Sequence, residues 1–255
     1  MTALDFTPAP GAAPFPRMVL AQAGAEVRAM LRNGEQLLLT MIIPVLLLVG
    51  FSVASLIDVG GGRRVDFLVP GVLALAVMST AFTGQAIATG FERRYGVLKR
   101  LGATPLSRAG LMLAKTGAVV AVEVIQAVVI VAVGLALGWR PHGSFLSAAV
   151  LLVLGTAAFS GLGLLMAGTL RAEATLAAAN LVYLVLLGAG GVVFPLSKFP
   201  EGVRPVLEVL PISALTGGLR AVLVEGAALP LGPPAVLAAW AVLSLGLVSR
   251  VFRWE

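Results

Sequence analysis

The sequence predicts an all-α membrane protein with six transmembrane helices. Of its 255 residues, 59% are hydrophobic and only 12% are charged, whereas about 25% of a typical soluble domain is charged. Six apolar stretches come close to the ~20 residues that cross a bilayer as a helix. They lie at residues 36–57, 67–88, 111–137, 145–170, 176–194 and 234–252.

The chain ahead of the first apolar stretch divides into two parts. Residues 1–16 are rich in Pro and Ala and lack the basic start and apolar core of a signal peptide, which predicts a disordered cytoplasmic tail. In residues 17–34, apolar positions such as Met30 and Leu31 alternate with Glu26, Arg28 and Arg32. This segment is too polar to span and predicts an amphipathic helix in the membrane interface, ahead of a six-helix domain at residues 35–255.

Prolines interrupt the apolar pattern in two places. Pro44 lies inside the first stretch, where it predicts a kink or a free carbonyl group because proline has no N–H. Residues 195–230, between the fifth and sixth stretches, contain Pro195, Pro200, Pro205 and Pro211. Their two amphipathic pieces, 203–210 and 212–224, are too short to span. They predict a re-entrant or interfacial helical hairpin on the outer side, packed against protein so that its backbone groups are satisfied.

The distribution of Lys and Arg predicts the orientation of the chain. With six spans, both termini lie on one side of the membrane, and more Lys and Arg fall on that side than on the other. The sequence therefore predicts a multi-pass protein of the cytoplasmic membrane with both termini in the cytoplasm. The net charge of +6 does not indicate a nucleic-acid partner, because the positive charges are spread over short loops between apolar stretches.

The most charged run, residues 91–108, lies between the second and third stretches. Its cations, opposed by Glu92 alone, are Arg93, Arg94, Lys99, Arg100 and Arg108. Phe91, Tyr95, Leu98 and Leu101 recur at helical spacing, which predicts one amphipathic helix of about three turns that ends near Gly102 and Pro105. The pattern leaves two interpretations open: a loop that only fixes topology, or a docking element for a soluble partner.

The residue types that the sequence lacks exclude several kinds of active site. There is no cysteine and only one histidine, His142, which excludes thiol chemistry and a multi-histidine metal site. The three lysines follow Leu98, Ala114 and Ser197, never the glycine that a phosphate-binding P-loop requires. We therefore expect no catalytic residue, no bound cofactor and no metal on this chain, and any ATP would be hydrolysed by a separate subunit.

Polar residues inside the apolar stretches are candidate cargo contacts, because placing a polar side chain in a membrane costs free energy. Glu123 is the only carboxylate deep within a stretch, and Gln126 shares its helix face. Gln85 and Asn180 fall in the cytoplasmic halves of their own stretches. Together these four residues predict an inner substrate vestibule in which Glu123 attracts a cationic amphiphile. The alternative is interhelical hydrogen bonding that only fixes packing, worth about 0.6 kcal/mol per bond.

The order of these elements resembles the membrane subunit of an ABC-2 type exporter. The resemblance to the family's coupling helix rests on Glu92, Arg93, Gly96, Leu98, Lys99, Leu101 and Pro105. Four short segments near the C-terminus resemble the family's C-terminal signature. They are Gly188-Ala189-Gly190-Gly191-Val192-Val193-Phe194-Pro195, Phe199-Pro200, Leu210-Pro211 and Gly218-Leu219-Arg220. Among subfamilies, the chain is most similar to drug-resistance permeases of the daunorubicin type.

The resemblance implies a permease that works as a dimer with two copies of a cytoplasmic ABC ATPase, which would bind ATP and Mg²⁺. The second permease would be another copy of this chain or a paralogue. The ATPases would push on a coupling element formed by Phe91, Glu92, Arg93, Arg94, Tyr95, Leu98, Lys99, Arg100, Leu101 and Pro105. The outer hairpin would form a gate with Phe194, Pro195, Pro200 and Pro211.

The resemblance leaves the cargo open. A drug-like or lipid-like amphiphile is expected, as in drug efflux and antibiotic resistance, and export of a polysaccharide or lipid-linked glycan by the same architecture is the alternative. A stand-alone secondary carrier is a rival class, for which Glu123 offers the only ionisable group deep in a span. A non-transporting membrane scaffold is a second rival. Association with an ATPase distinguishes the exporter from both.

Overall fold

The computed structural model describes residues 11–54 and 63–252, and all regular structure in these two ranges is helical. Five of the helices are long and apolar enough to cross a membrane, and a shorter apolar helix precedes them. We number them in chain order as apolar helices 1 to 6: Thr40–Val53, Arg64–Arg94, Ala109–Ala136, Phe145–Thr169, Ala172–Ala189 and Gly232–Val251. Residues 1–10 of the predicted tail and 55–57 of the first predicted span lie outside the described residues.

An N-terminal helix, Phe15–Arg32, precedes apolar helix 1 and packs along apolar helix 3. It begins two residues before the predicted 17–34, so residues 15 and 16 belong to a helix and not to the tail. Proline in the first helical positions explains the early start, because the N–H that proline lacks has no partner there in any case. The position of this helix in the membrane interface stays a prediction.

Apolar helix 1 contains the irregularity that Pro44 predicts. A π-helical turn, Leu38–Ile42, comes before the regular part, Ile43–Val53. In an α-helix the N–H of residue 44 would bond to the carbonyl of Thr40, and proline cannot make that bond. The Thr40 carbonyl instead accepts a hydrogen bond from Nε2 of Gln126, on apolar helix 3, at 2.6 Å. The carbonyl that the proline frees is thus satisfied by a neighbouring helix.

Apolar helix 2 is the centre of the bundle. The most apolar part of this helix is 89% buried, and it packs against apolar helices 1, 3, 4 and 5. The helix is continuous from Arg64–Val77 through a π-helical segment, Met78–Gly84, to Gln85–Arg94. It therefore extends past the predicted end at residue 88 and into the basic run.

The prediction of one continuous helix through residues 91–101 is wrong. Residues 91–94 form the last turn of apolar helix 2, and a separate basic helix, Val97–Gly102, follows. The break lies at Gly96, whose φ of 67° is left-handed, a conformation that glycine adopts at little cost and that commonly ends helices. The N–H of Tyr95 donates to the carbonyl of Phe91 at 2.9 Å, which closes the last turn. The predicted end near Gly102 is confirmed.

Apolar helices 3 and 4 begin and end close to their predicted limits. Helix 3 is capped by Ser107, whose Oγ accepts a hydrogen bond from the N–H of Gly110 at 3.1 Å, as helix N-caps commonly do. Helix 5 both starts and ends before the predicted 176–194. It ends at Ala189, and Gly191 two residues later has a φ of 70°, a conformation that a helix cannot continue through.

The outer segment between apolar helices 5 and 6 is helical in pieces. It contains a 3₁₀ turn, Leu196–Lys198, a short helix, Arg204–Glu208, and the outer helix, Pro211–Leu223. The outer helix is largely buried and packs against apolar helices 2, 4 and 6. The two amphipathic pieces predicted at 203–210 and 212–224 are therefore helices. Burial against protein satisfies the requirement that a non-spanning segment at membrane depth must meet.

Candidate functional site

The last turn of apolar helix 2 is held by contacts within the chain. Arg93 donates a hydrogen bond to the carbonyl of Leu170, and Arg94 forms an ion pair with Glu173. Leu170 lies in the turn between apolar helices 4 and 5, and Glu173 lies in the first turn of helix 5. Arg93 and Arg94, predicted as ATPase contacts, therefore attach helix 2 to this turn and to the start of helix 5 in the present structure.

A buried ion cluster joins three helices at the same end. Nζ of Lys115, on apolar helix 3, lies 2.6 Å from Oε2 of Glu92 on helix 2 and 3.0 Å from Oε1 of Glu26 on the N-terminal helix. The side chain of Lys115 is only 4% exposed, and those of Glu92 and Glu26 are 21% and 12% exposed. Gln22 donates a further hydrogen bond to Glu26 at 2.9 Å. Glu92 was predicted to contact the ATPase, but its carboxylate points to Lys115.

Two features of the sequence point to this cluster. Lys115 is a single cation near the start of an otherwise apolar helix, and Glu26 is a single acid on the amphipathic helix. A buried charge without a partner is costly, so each of these residues favours a partner of opposite charge. Pairing them across a separation of 89 residues requires the tertiary structure.

A different set of residues faces outward at this end. Tyr95 is 61% exposed, and Lys99, Arg100 and Pro105 are exposed. We call Tyr95, Lys99 and Arg100 the outward basic face. Leu98 is 2% exposed and fixes the basic helix to the bundle, and Leu101 is half-buried. The ring of Tyr95 stacks on Phe91 with centroids 6.1 Å apart, which orients the tyrosine at the edge of this face.

A polar cavity of about 150 Å³ lies between apolar helices 1, 2 and 5. Its polar lining residues are Asn33, Thr40, Ser79, Thr83, Asn180 and Tyr183, and its other lining residues are Gly84, Ile87, Ala88 and Leu176. Among the residues that the structure describes, none of the lining side chains is charged. Both π-helical segments contribute, through Thr40 and through residues 79–84. Single π-helical turns inside α-helices occur frequently at functional sites.

A second cavity, which we call the Glu123 crevice, has a volume of about 140 Å³ and lies between apolar helices 2, 3 and 4. Oε2 of Glu123 accepts a hydrogen bond from Oγ1 of Thr156 at 2.5 Å. Gln126 also lines the crevice, but its amide is engaged: it accepts from Thr80 at 3.0 Å and donates to Thr40 at 2.6 Å. Gln126 therefore bonds helices 1, 2 and 3 together.

The four residues predicted to line one inner vestibule do not come together. Glu123 and Gln126 line the crevice, and Asn180 lines the polar cavity. Gln85 is 2% exposed and lines neither of them, and neither atom of its amide has a hydrogen-bond partner among the described residues. Sequence position gives a residue's depth along its helix, but not the direction in which the helix turns it. The single vestibule is therefore a wrong prediction.

At the opposite end of the bundle, Arg220 links the outer helix to apolar helix 2. Its guanidinium donates to the carbonyls of Phe67 at 3.2 Å and Val192 at 3.1 Å, and it lies 3.5 Å from the centroid of the Phe67 ring. Burial lowers the pKa of Arg220 to about 9, which leaves the side chain charged at neutral pH. The sequence analysis names Arg220 only as part of the family's C-terminal signature, although a lone arginine in an apolar segment is itself a signal of a buried contact.

The predicted gate residues differ in exposure. Phe194 is 50% exposed, Pro200 is exposed, Pro195 is half-buried, and Pro211 is buried where the outer helix begins. Their role as a gate stays a prediction. Within residues 11–54 and 63–252, no three His, Cys, Asp or Glu side chains are grouped so that they could hold a metal ion.

Comparison with known proteins identifies a family. Residues 19–224 match the family model described as ABC-2 type transporter, which is 206 of the 255 residues (224 − 19 + 1). The matched region begins inside the N-terminal helix and ends just after the outer helix. It contains the ion cluster, the outward basic face, both cavities and Arg220. No curated protein matches the chain.

Proposed function

Because the chain belongs to the ABC-2 type transporter family and is its membrane permease, we propose that it exports a hydrophobic or amphiphilic substrate across the cytoplasmic membrane. The family match over residues 19–224 is the observation that carries this proposal. Permeases of this family are not catalytic and bind no cofactor. A partner ABC ATPase handles the ATP. The direction of transport and the cargo are the proposed part.

We assign the ATPase contact to the outward basic face. Tyr95, Lys99 and Arg100 are exposed at the end of the central helix, where a soluble partner can reach them. Other residues attach this face to the bundle. Leu98 is buried, Arg93 binds the carbonyl of Leu170, and Arg94 binds Glu173 at the start of apolar helix 5. A displacement of the basic helix is thereby transmitted directly to apolar helix 2. This end of the bundle and both termini are assigned to the cytoplasm, following the positive-inside rule.

We assign the Glu92–Lys115–Glu26 cluster to the transmission of that displacement. Its three members belong to the N-terminal helix and apolar helices 2 and 3, so movement of the basic end carries all three helices. We propose that two cytoplasmic ATPases act on a pair of permeases, as the family resemblance implies. The pair consists of two copies of this chain or of this chain with a paralogue, and the outer segment with Phe194, Pro195, Pro200 and Pro211 forms the gate.

The two cavities favour different cargo classes. The drug-like or lipid-like amphiphile expected in drug efflux and antibiotic resistance suits the largely apolar Glu123 crevice. A second candidate is export of a polysaccharide or lipid-linked glycan. It is favoured by the polar cavity, whose amide and hydroxyl side chains carry no charge, because neutral hydroxyl groups of a sugar are recognised by such hydrogen-bonding groups.

Purification of the intact complex tests the proposal. The permease is purified from its native membrane in mild detergent, and the mass of the complex is measured together with the identity of its subunits. We expect two ABC ATPase chains and two permease chains in one complex. A permease that purifies without any ATPase, while its membrane insertion is normal, contradicts the exporter. A second permease of different mass identifies the heterodimer.

A further inference from the structure

The Glu123 crevice, which suits an amphiphilic cargo in the proposed function, also carries a polar group that specifies the chemistry of its ligand. Its walls are formed by alanine, valine and leucine side chains of apolar helices 2, 3 and 4. Glu123 and Thr156 are the polar pair on its wall, because the amide of Gln126 is already bonded to Thr80 and Thr40. A single carboxylate thus faces a small apolar space.

The two oxygens of Glu123 are in different situations. Oε2 accepts a hydrogen bond from Thr156 at 2.5 Å. Oε1 is buried and has no hydrogen-bond partner among the described residues. In that part of the chain, Glu123 also forms no ion pair with Lys, Arg or His. An acceptor in apolar surroundings that lacks a donor is costly, so this oxygen favours any ligand that brings a donor.

The crevice is open at the surface of the bundle. Val124 and Val153, which line it, are 56% and 61% exposed, and Val120 is 38% exposed. Apolar helices 3 and 4 both contribute to this opening, and the polar cavity lies on the other side of the central helix, between apolar helices 1, 2 and 5. A ligand can therefore reach Glu123 from the membrane without passing through the polar cavity.

From these contacts we infer that the crevice binds the ammonium group of a hydrophobic amine that enters from the lipid phase. The ammonium group donates to Oε1 of Glu123 and supplies the missing positive charge, and the apolar body lies against the valines. A space of about 140 Å³ holds a group of roughly the size of one benzene ring, since an apolar protein cavity of about 150 Å³ binds benzene. The rest of a longer amphiphile remains in the lipid.

Binding of the amine is a property of this chain alone, and only its interpretation as cargo rests on the proposed export function. The experiment therefore uses the permease without ATPase or ATP, in detergent micelles, and measures binding by ¹⁹F NMR titration. The probes are 4-(trifluoromethyl)benzylamine and 4-(trifluoromethyl)benzyl alcohol, which are similar in shape and differ in charge. If neither probe binds, the proposed export function is not affected. If no ATPase co-purifies, the proposed binding of the amine is not affected.

Three variants are compared with the wild type. Glu123→Gln keeps the shape of the side chain and removes the charge. Glu208→Gln makes the same change at an exposed carboxylate on the short outer-segment helix and is the matched control. Val153→Trp fills the mouth of the crevice. We expect the wild type and Glu208→Gln to bind the amine about tenfold more tightly than the alcohol, because both probes donate to Oε1 but only the ammonium group adds the opposite charge.

Glu123→Gln should bind the two probes equally, and Val153→Trp should weaken both. The inference is overturned if the wild type shows no preference for the amine, or if the preference survives in Glu123→Gln or disappears in Glu208→Gln. It is also overturned if neither probe binds the wild type, as expected when a lipid tail or a second copy of the chain fills the crevice. The Glu123→Gln comparison decides the question even where Val153→Trp does not fold.

Discussion

Replacing Lys115 with methionine tests the ion cluster that joins the N-terminal helix to apolar helices 2 and 3. Methionine keeps most of the apolar stem and removes the ammonium group that lies 2.6 Å from Glu92 and 3.0 Å from Glu26. The three side chains are 4%, 21% and 12% exposed, so solvent screens the cluster only weakly. Removing one partner of a buried ion pair costs about 3–5 kcal/mol, because the remaining charge is left without compensation.

The expected result is a large loss of thermal stability. For a domain of 150–250 residues, each kcal/mol lowers the unfolding midpoint by about 2–4 °C, so Lys115→Met should lower it by about 10 °C. The midpoint is measured on the detergent-purified permease by the loss of monodisperse protein after heating. Two carboxylates depend on this single lysine, which places the expected cost toward the upper part of the range.

Two further variants make the test specific. Lys99→Met removes a lysine that is exposed on the outward basic face, and such surface changes stay within about 0.5 kcal/mol. Combining Lys115→Met with Glu26→Gln and Glu92→Gln removes the unpaired charges and should recover most of the lost stability. The reasoning is refuted if Lys115→Met melts at the same temperature as Lys99→Met, or if the triple variant is no more stable than Lys115→Met alone.

Three other predictions address docking, packing and orientation. Lys99→Glu with Arg100→Glu should abolish co-purification of the ATPase and leave membrane insertion unchanged, because both side chains belong to the outward basic face; retention of the ATPase would contradict the docking assignment. Gln126→Leu should lower the free energy of unfolding by about 1–3 kcal/mol, because it leaves the buried partners of Gln126 without a hydrogen bond. In a Pro44→Ala background the loss should be much smaller, because alanine restores the missing backbone N–H. Equal losses in both backgrounds would refute the pairing. In this chain without cysteine, cysteine at Glu201 should react with an impermeant maleimide in intact cells and cysteine at Arg100 only after permeabilisation; the reverse pattern would overturn the orientation.

Hydrophobicity and local chain chemistry made much of the fold predictable. The apolar stretch at 111–137 corresponds to Arg108–Ala136, and that at 145–170 to Phe145–Thr169, because a membrane helix must be apolar over its whole length. Pro44 also predicted its own consequence, since the missing N–H is a local property of the residue. The family resemblance was visible in the same way, from residues close together in sequence.

Contacts between distant parts of the chain were not predictable by these means. The basic run looked like one exposed docking helix, yet Glu92, Arg93 and Arg94 are engaged by Lys115, Leu170 and Glu173. The direction of a charged side chain depends on which helix packs beside it, and periodicity within one segment does not contain that information. The vestibule failed for the same reason, because Glu123 and Asn180 face different sides of the central helix.

Apolar helix 2 connects the proposed ATPase contact with the polar cavity, and its basic end differs from its π-helical middle segment. At the basic end, Glu92, Arg93 and Arg94 are each bonded to a neighbouring element, so a push on the basic helix moves the last turn together with those neighbours. Further along the same helix, the π-helical segment Met78–Gly84 lines the polar cavity. Helices bend most readily at such segments, where the regular hydrogen-bond pattern is interrupted. In the proposed export cycle, movement at the ATPase therefore changes the shape of the polar cavity, because the ion cluster prevents the helix from yielding nearer to the push.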